Sequence, residues 1–162
     1  MIQALEEWET LPNLRHPFDP RTNVGIKQAL WHGDMLLGAM VRDLMHRDPL
    51  TPFVETGTHM GWTSAWVAQN YPSRPVYTSE VDPDFYQRGG ENLTGYPHAT
   101  HVHDDSRNFL WKLRPELVGK CPIFWLDAHW TPPPPLREEC RMVATLDRFI
   151  CLIDDFQCWG PD

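Results

Sequence analysis

The stretch Phe124-Trp125-Leu126-Asp127 is followed, about one helix length later, by Ile150-Cys151-Leu152-Ile153-Asp154-Asp155. Each is a short run of apolar residues that ends in one or two aspartates. Such a run is too short to span a membrane and has the length of a strand buried on both faces of a parallel sheet. The residues between the runs are enough for a loop, a helix and the return strand of one crossover, so both strand ends should meet at one sheet edge.

Three carboxylates are therefore expected to converge at that edge: Asp127, Asp154 and Asp155. Their oxygens suit a hard cation such as Mg²⁺, which prefers oxygen ligands. A solvated strand end or a helix cap is the alternative interpretation of Asp154 and Asp155. Asp127 is harder to explain in that way, because an acid directly after an apolar run is costly to bury without a partner.

Strands and helices alternate along most of the chain. The pattern predicts three earlier strands, at 53–55, 76–80 and 100–103, and helices at 62–69, 84–92, 107–113 and about 136–146. Five strands alternating with helices are typical of a doubly wound, mainly parallel, Rossmann-like α/β sheet. Residues 1–50 have helical spacing and are predicted to form a cap or lid segment, whereas residues 51–162 form the main domain of one compact unit.

Length and charge narrow the possible functions. A chain of 162 residues is the size of one domain with a full core. Its 14 Lys and Arg against 22 Asp and Glu give a net charge of −8, and the lack of a basic block argues against nucleic acid as a partner. The first residues are acidic where a signal peptide would be basic, and no apolar run approaches roughly 20 residues, so we expect a cytoplasmic protein without membrane contact.

Glycines and acids at the predicted strand ends mark a candidate nucleotide cleft. Gly57 and Gly61 lie where the first strand turns into a helix, and a simple tight turn explains this spacing about equally well. Glu80 ends the second strand, where a carboxylate can accept hydrogen bonds from the two hydroxyls of a ribose. Asp105 and Ser106 supply polar groups after the third strand. Together these strand ends indicate an adenosine-binding cleft.

Five motifs resemble, in order and spacing, those of the class I S-adenosylmethionine-dependent methyltransferases. They are Glu55-Thr56-Gly57-Thr58-His59-Met60-Gly61-Trp62-Thr63, Ser79-Glu80-Val81-Asp82-Pro83, Asp105-Ser106, Leu126-Asp127 and Ile153-Asp154-Asp155. The resemblance covers about residues 50–158 and is greatest to the metal-dependent O-methyltransferases of the catechol and macrolide-sugar types. It implies S-adenosylmethionine and Mg²⁺ as cofactors and a small hydroxylated acceptor as substrate.

The resemblance also assigns roles to individual residues. The implied cofactor-binding residues are Glu55, Gly57, Thr58, His59, Gly61, Trp62, Thr63, Glu80, Val81, Asp105, Ser106 and Asp127. Among them, the glycine-containing loop would line the methionine part of the cofactor, Glu80 would hold the ribose, and Asp105-Ser106 would flank the adenine. The implied Mg²⁺ ligands are Asp127, Asp154 and Asp155.

The chain departs from the family pattern in three places. His59 stands where many methyltransferases have glycine. The catechol type follows its metal-binding acid with His-Trp-Lys and uses the lysine as base, whereas this chain has Asp127-Ala128-His129-Trp130. His129 is the remaining candidate for general base, with metal binding or orientation of Trp130 as alternatives. Because no strand pattern follows the fifth strand up to Asp162, we expect this chain to lack the antiparallel hairpin that usually completes the sheet, either as a minimal form or because another chain covers that edge.

Two classes of function follow from these residues. One is an O-methyltransferase with Asp127 and His129 as catalytic residues, which the three metal-binding acids favour. The other is a truncated or degenerate relative that binds the cofactor or a partner without turnover, which the missing lysine and hairpin favour. The missing hairpin also leaves an edge of the fifth strand open to pairing, so a homo-oligomer is expected.

Overall fold

A computed structural model describes residue 31 and residues 35–48, 50–128 and 133–154 of the chain. The chain divides into two compact units, residues 1–49 and residues 50–162. The first unit contains helix α1 (Met35–Arg47), in which Val41 and Met45, about one turn apart, are buried. The role of residues 1–50 as a cap or lid stays a prediction. None of the described helices is long and apolar enough to cross a lipid bilayer.

The second unit alternates strands with helices. In chain order the elements are β1 (Phe53–Thr56), α2 (Trp62–Asn70), β2 (Val76–Glu80), α3 (Pro83–Leu93), β3 (Ala99–His103), α4 (Ser106–Leu117), β4 (Ile123–Leu126), α5 (Leu136–Val143) and β5 (Ile150–Ile153). The strands form one sheet in the order β3-β2-β1-β4-β5, and every neighbouring pair is parallel. The predicted doubly wound α/β fold is confirmed. The prediction about a C-terminal hairpin concerns residues outside the described ranges.

Both faces of the central strand are covered, which explains why its residues are continuously buried. Val54 belongs to an apolar cluster that includes Leu110 of α4 and Met142 of α5. Glu55, the next residue, faces the opposite side, where it meets Ser64 of α2. Side chains alternate along a strand, so a strand covered by helices on both sides is buried at successive positions, and a polar residue there, such as Glu55, needs a hydrogen-bond partner.

The strand order changes direction between β1 and β4. From β1 the chain first builds outward through β2 and β3, and then returns to place β4 on the other side of β1. In open α/β sheets the crevice at such a switch point, outside the carboxyl ends of the strands, is where ligands bind. Thr56 ends β1 and is in register with Ser79 of β2 and Leu126 of β4. The residues that follow these three therefore border the crevice.

Candidate functional site

The carboxylate of Glu80 ties together the loops that follow β1 and β2. Its Oε2 accepts a hydrogen bond from the backbone N–H of His59 at 2.7 Å. Its Oε1 accepts from the N–H groups of Val81 and Asp82, at 2.9 Å each. Hydrogen bonds to an ionised acceptor are the stronger kind. Glu80 thus shapes the loop after β1, in addition to the ribose role that the sequence predicts for it.

The loop at residues 57–61 is held against the end of β2. The backbone N–H groups of Gly57 and Thr58 both donate to the carbonyl oxygen of Ser79 at 3.0 Å. The hydroxyl oxygens of Thr58 and Thr78 are 2.6 Å apart and share a hydrogen bond. The loop is therefore fixed by the protein itself through bonds to its neighbouring strand.

His59 has an unusual backbone conformation within this loop. Its φ is +49°, in the left-handed region that residues other than glycine rarely adopt. Its ring packs against Phe85, with ring centroids 4.2 Å apart. Such a conformation persists only where the surroundings determine it strongly, and it is often found at ligand sites. The bond from the His59 N–H to Glu80 is one such determinant.

Gly57 and Gly61 are required by close backbone contacts inside the protein. Their φ angles are +81° and +72°. A Cβ on Gly57 would lie 2.7 Å from the carbonyl oxygen of Asp127, and a Cβ on Gly61 would lie 2.9 Å from the carbonyl oxygen of Gly89. The sequence analysis explains both glycines by the approach of a ligand to the backbone. The structure adds a packing reason for each of them.

Glu55 is a buried carboxyl one residue before the end of β1. It is 2% exposed, and its Oε2 accepts hydrogen bonds from the Ser64 hydroxyl at 2.6 Å and the Thr78 hydroxyl at 2.9 Å. Burial raises the pKa of Glu55 to about 8; the two hydroxyls oppose this rise, and the charges of Asp127 and Glu80 add to it. Glu55 is therefore mostly protonated at neutral pH.

Asp127 and Asp154 lie at neighbouring strand ends. Each directly follows one member of the register pair formed by Leu126 and Ile153. The N–H of Asp154 donates to the Leu126 carbonyl at 3.0 Å, and the N–H of Asp127 donates to the Thr56 carbonyl at 3.1 Å. The ends of β1, β4 and β5 are thus side by side, with Asp127 on the middle one.

The described residues do not complete a metal site. Among them, no group of three or more His, Cys, Asp or Glu side chains is arranged to hold a metal ion. Asp155, the third predicted Mg²⁺ ligand, and His129, the candidate base, both lie outside the described residues. A Mg²⁺ ion bound to Asp127 and Asp154 would therefore take its remaining ligands from elsewhere in the chain, from the acceptor or from water.

Asp105 and Ser106 start helix α4. The Asp105 side chain caps the helix by accepting from the N–H of Arg107 at 2.9 Å, and it pairs with the Arg107 guanidinium at 2.6 Å. The side-chain hydrogen bond from Arg107 is the main cause that lowers the pKa of Asp105. Ser106 is buried. Asp105 therefore has a structural function beside the adenine contact that the sequence resemblance implies.

The other predicted cofactor residues border the same loops. Trp62 and Thr63 open α2 and are partly buried, and the residue before them, Gly61, has no side chain with which to cap that helix end. Val81 follows Glu80 and is 47% exposed. The structure thus brings the loops after β1 and β2 together through Glu80.

Glu139 of α5 is a buried acid that the sequence motifs do not include. It is 1% exposed, and burial raises its pKa to about 7, whereas hydrogen bonding by the hydroxyls of Ser106 and Thr56 opposes the rise. Its Oε1 makes no hydrogen bond to any residue within the described ranges. One signal was available in the sequence, because helical spacing places Glu139 on the apolar face that carries Leu136 and Val143.

No protein-family model matches the sequence, and comparison with curated proteins gives no significant match. The fold, however, matches several solved methyltransferase structures. A Staphylococcus aureus protein assigned as a caffeoyl-CoA O-methyltransferase aligns over 78% of this chain with a TM-score of 0.62 and 16% identity. The O-methyltransferase TomG from Streptomyces achromogenes, in complex with SAM, aligns over 96% with a TM-score of 0.57 and 21% identity.

Human methyltransferase-like protein 13, in complex with SAH, aligns over 73% of this chain with a TM-score of 0.54 and 17% identity. This chain covers 60%, 63% and 60% of the Staphylococcus aureus, Streptomyces achromogenes and human proteins, respectively. At such low sequence identities, the structural similarity concerns only the arrangement of strands and helices. The chain therefore has the class I fold of the S-adenosylmethionine-dependent methyltransferases.

Proposed function

We propose that this chain is an S-adenosylmethionine-dependent O-methyltransferase that acts on a small hydroxylated acceptor. The observation that carries the proposal is the convergence of three motifs around the β1–β4 switch point: the loop at 57–61, Glu80 and Asp127. The crevice at this point is where ligands bind in open α/β sheets. Two of the proteins with similar folds are O-methyltransferases by name.

The charges at these strand ends support a cationic ligand. Glu80 and Asp127 lie close enough to Glu55 to raise its pKa by charge repulsion. A positively charged sulfonium placed near Glu80 and Asp127 would be attracted by the negative charges of these two residues. Methyl transfer to a hydroxyl is a direct displacement, in which the protein mainly aligns the two groups and makes the hydroxyl more nucleophilic.

We propose Asp127 and His129 as the catalytic residues, with His129 as general base and Mg²⁺ bound by Asp127, Asp154 and Asp155. The adjacency of the β4 and β5 ends supports the first two ligands. When bound, Mg²⁺ lowers the pKa of a coordinated hydroxyl. His129 is close to Asp127 in sequence, and an imidazole titrates near neutral pH, as a base at this position requires.

The test of the proposed function is calorimetric titration with S-adenosylmethionine and S-adenosylhomocysteine, with and without Mg²⁺, followed by a screen of phenols, diols and sugar hydroxyls as acceptors. We expect binding of both cofactor forms and methylation of at least one acceptor. Absence of any cofactor binding would contradict the proposal. Cofactor binding without transfer to any acceptor would instead support the degenerate relative that binds without turnover.

Replacing Glu80 by alanine is expected to weaken S-adenosylhomocysteine binding by about 1.5 to 3 kcal/mol, the range for a lost hydrogen bond to a charged group. Glu80→Gln should lose less, because an amide oxygen still accepts hydrogen bonds. Calorimetry measures both affinities. Asp84→Asn, which changes an exposed acid at the start of α3, is the control and should bind as the parent does. Parent-like affinity in Glu80→Ala would show that the ribose lies elsewhere.

Replacing Asp154 by asparagine should raise the Mg²⁺ concentration needed for half-maximal turnover by roughly tenfold, because changes around metal sites cost at least that much affinity. Cofactor affinity should change little, since the ion serves the acceptor hydroxyl. Asp147→Asn, at an exposed acid shortly before β5, is the matched control. Equal turnover of the parent in excess chelator would contradict the Mg²⁺ assignment.

A homo-oligomer remains part of the proposal. In the described sheet β5 is an edge strand, and all four of its residues are partly exposed. Edge strands offer unpaired backbone groups to another chain. Light scattering across micromolar concentrations would measure the mass, and a monomeric mass throughout would contradict this part of the proposal. The net charge of −8 supports the absence of a nucleic-acid partner.

A further inference from the structure

The hydroxyl of Thr78 joins two parts of the site that are separate in the sequence. Thr78 lies in the middle of β2 and is completely buried. Its Oγ1 donates a hydrogen bond to Oε2 of Glu55 in β1 at 2.9 Å. The same Oγ1 lies 2.6 Å from Oγ1 of Thr58, in the loop that follows β1. One hydroxyl on β2 therefore connects the buried acid of β1 with the loop at 57–61.

The direction of these hydrogen bonds follows from the number of protons. A threonine hydroxyl has one proton to donate and two lone pairs that accept. With the Thr78 proton given to Glu55, the Thr58 hydroxyl donates to Thr78. Oε2 of Glu55 also accepts from the Ser64 hydroxyl at 2.6 Å, so both lone pairs of Oε2 are used and a proton held by Glu55 lies on Oε1. Loss of the Thr78 hydroxyl would therefore break the bond to Thr58 and the bond to Glu55 together.

Thr58 is held in one orientation by contacts on several sides. Its N–H donates to the Ser79 carbonyl at 3.0 Å, and its own carbonyl oxygen accepts from the N–H of Gly61 at 2.7 Å. A Cβ on Gly89 would lie 3.1 Å from the Thr58 methyl carbon, so this methyl group lies against the backbone of α3. The hydroxyl bond to Thr78 completes this set. The next residue is His59, whose left-handed backbone needs such support.

We propose that Thr78 is a positioning residue, whose hydroxyl holds the loop at 57–61 in the conformation that binds S-adenosylmethionine. This inference rests on the proposed function. Thr78 acts through Thr58, because Thr78 itself is completely buried. Without the link, part of the loop population should leave the binding conformation. The apparent affinity for the ligand then falls in proportion to the fraction of molecules that keep that conformation.

The experiment compares four variants with the parent. Thr78→Val keeps the shape of the side chain but has no hydroxyl, whereas Thr78→Ser keeps the hydroxyl. Thr58→Val breaks the same link and leaves the bond between Thr78 and Glu55 in place. The control, Thr100→Val, makes the same substitution at an exposed position of the neighbouring strand β3.

Three quantities are measured for each protein. Calorimetry gives the affinity for S-adenosylhomocysteine, and thermal unfolding gives the melting temperature. Amide hydrogen exchange of the His59 and Gly61 N–H groups, without ligand, reports how often the loop opens. These two groups are suitable because both are hydrogen-bonded, to Glu80 and to the Thr58 carbonyl respectively. Affinity and exchange are needed beside the melting temperature, because lost stability alone does not indicate positioning.

Thr78→Val is expected to bind S-adenosylhomocysteine roughly threefold to tenfold more weakly than the parent, which corresponds to the loss of one ordinary hydrogen bond. The His59 and Gly61 amides should exchange faster. Thr78→Ser should restore most of the affinity, because serine has the same donor and acceptors. Thr58→Val should lose as much affinity as Thr78→Val but melt at a higher temperature, since Glu55 keeps its donor. Thr100→Val should behave as the parent does in all three measurements.

Several results would overturn the inference. One is a Thr78→Val variant that melts at a lower temperature but keeps the parental affinity and exchange, which indicates a purely structural hydroxyl. Thr58→Val decides the question in the same way if Thr78→Val does not fold. Equal losses of affinity in Thr78→Ser and Thr78→Val would also contradict a role of the hydroxyl. A parent that binds no cofactor overturns the proposed function and this inference with it, whereas a parent and a Thr78→Val variant that bind equally well overturn the inference alone.

Discussion

Gly57→Ala is expected to lower the free energy of unfolding by roughly 2 to 5 kcal/mol, from the cost of a left-handed conformation together with the cost of overpacking. The φ of +81° is unfavourable for alanine. The added Cβ would also lie 2.7 Å from the carbonyl oxygen of Asp127. The backbone N–H of Asp127 is hydrogen-bonded to the Thr56 carbonyl of β1, so the Asp127 carbonyl oxygen cannot move away freely.

Two other glycines allow the conformational cost and the packing cost to be measured separately. Gly119 has a φ of +80° but open space around its Cβ position, so Gly119→Ala should lose only the conformational part, about 1 to 2 kcal/mol. Gly95 has open space and no positive φ, so Gly95→Ala should leave stability almost unchanged. Urea unfolding measures all three. If Gly57→Ala costs no more than Gly119→Ala, the close approach of the β1 loop to the end of β4 is wrong.

The second large effect concerns Glu55 and pH. The pKa of Glu55 is raised by burial from 4.5 to about 8 in the folded protein. A raised pKa means that the folded state holds a proton which the unfolded state releases more readily. The contribution of Glu55 to stability is therefore complete below about pH 4.5 and is lost as the pH rises through about 8.

Between these limits the parent should lose about 3 to 5 kcal/mol relative to Glu55→Gln, which cannot ionise. Urea unfolding of both proteins at about pH 5 and about pH 8 measures this difference. Glu116→Gln, at an exposed position of α4, is the control and should parallel the parent. Glu139→Gln should diverge from the parent in the same direction over a narrower range, up to about pH 7. Parallel pH profiles for the parent and Glu55→Gln would contradict burial of an ionisable Glu55.

The sequence predicts the sheet well because strand burial leaves a local pattern. Runs such as Ile123–Leu126 are apolar at successive positions, and each is followed by the acid that marks its exposed end. Glu80 was predicted on the same grounds. Its bond to the His59 N–H was not predictable, because the bond depends on how closely the loop after β1 approaches β2, and no local pattern encodes that distance.

Other residues could not be predicted from the motifs because their roles depend on contacts between elements that are distant in the sequence. The glycine pair Gly61 and Gly89 lets α2 and α3 touch through their backbones, and neither position by itself indicates the other. Glu139 is visible as an acid on an apolar helix face, but its burial depends on how α5 packs against α4 and the sheet. Its significance emerges only from the tertiary arrangement.

The parallel register has a consequence for how this chain folds during synthesis. Phe53 of β1 pairs with Val76 on one side and with Ile123 on the other, so the central strand receives its second neighbour only after most of the sheet has left the ribosome. Until then β1 presents an open, apolar edge to other chains. Closing such long loops costs entropy before the strand pairing stabilises the sheet, so folding should be slow. The nascent chain should be most prone to aggregation before β4 is made.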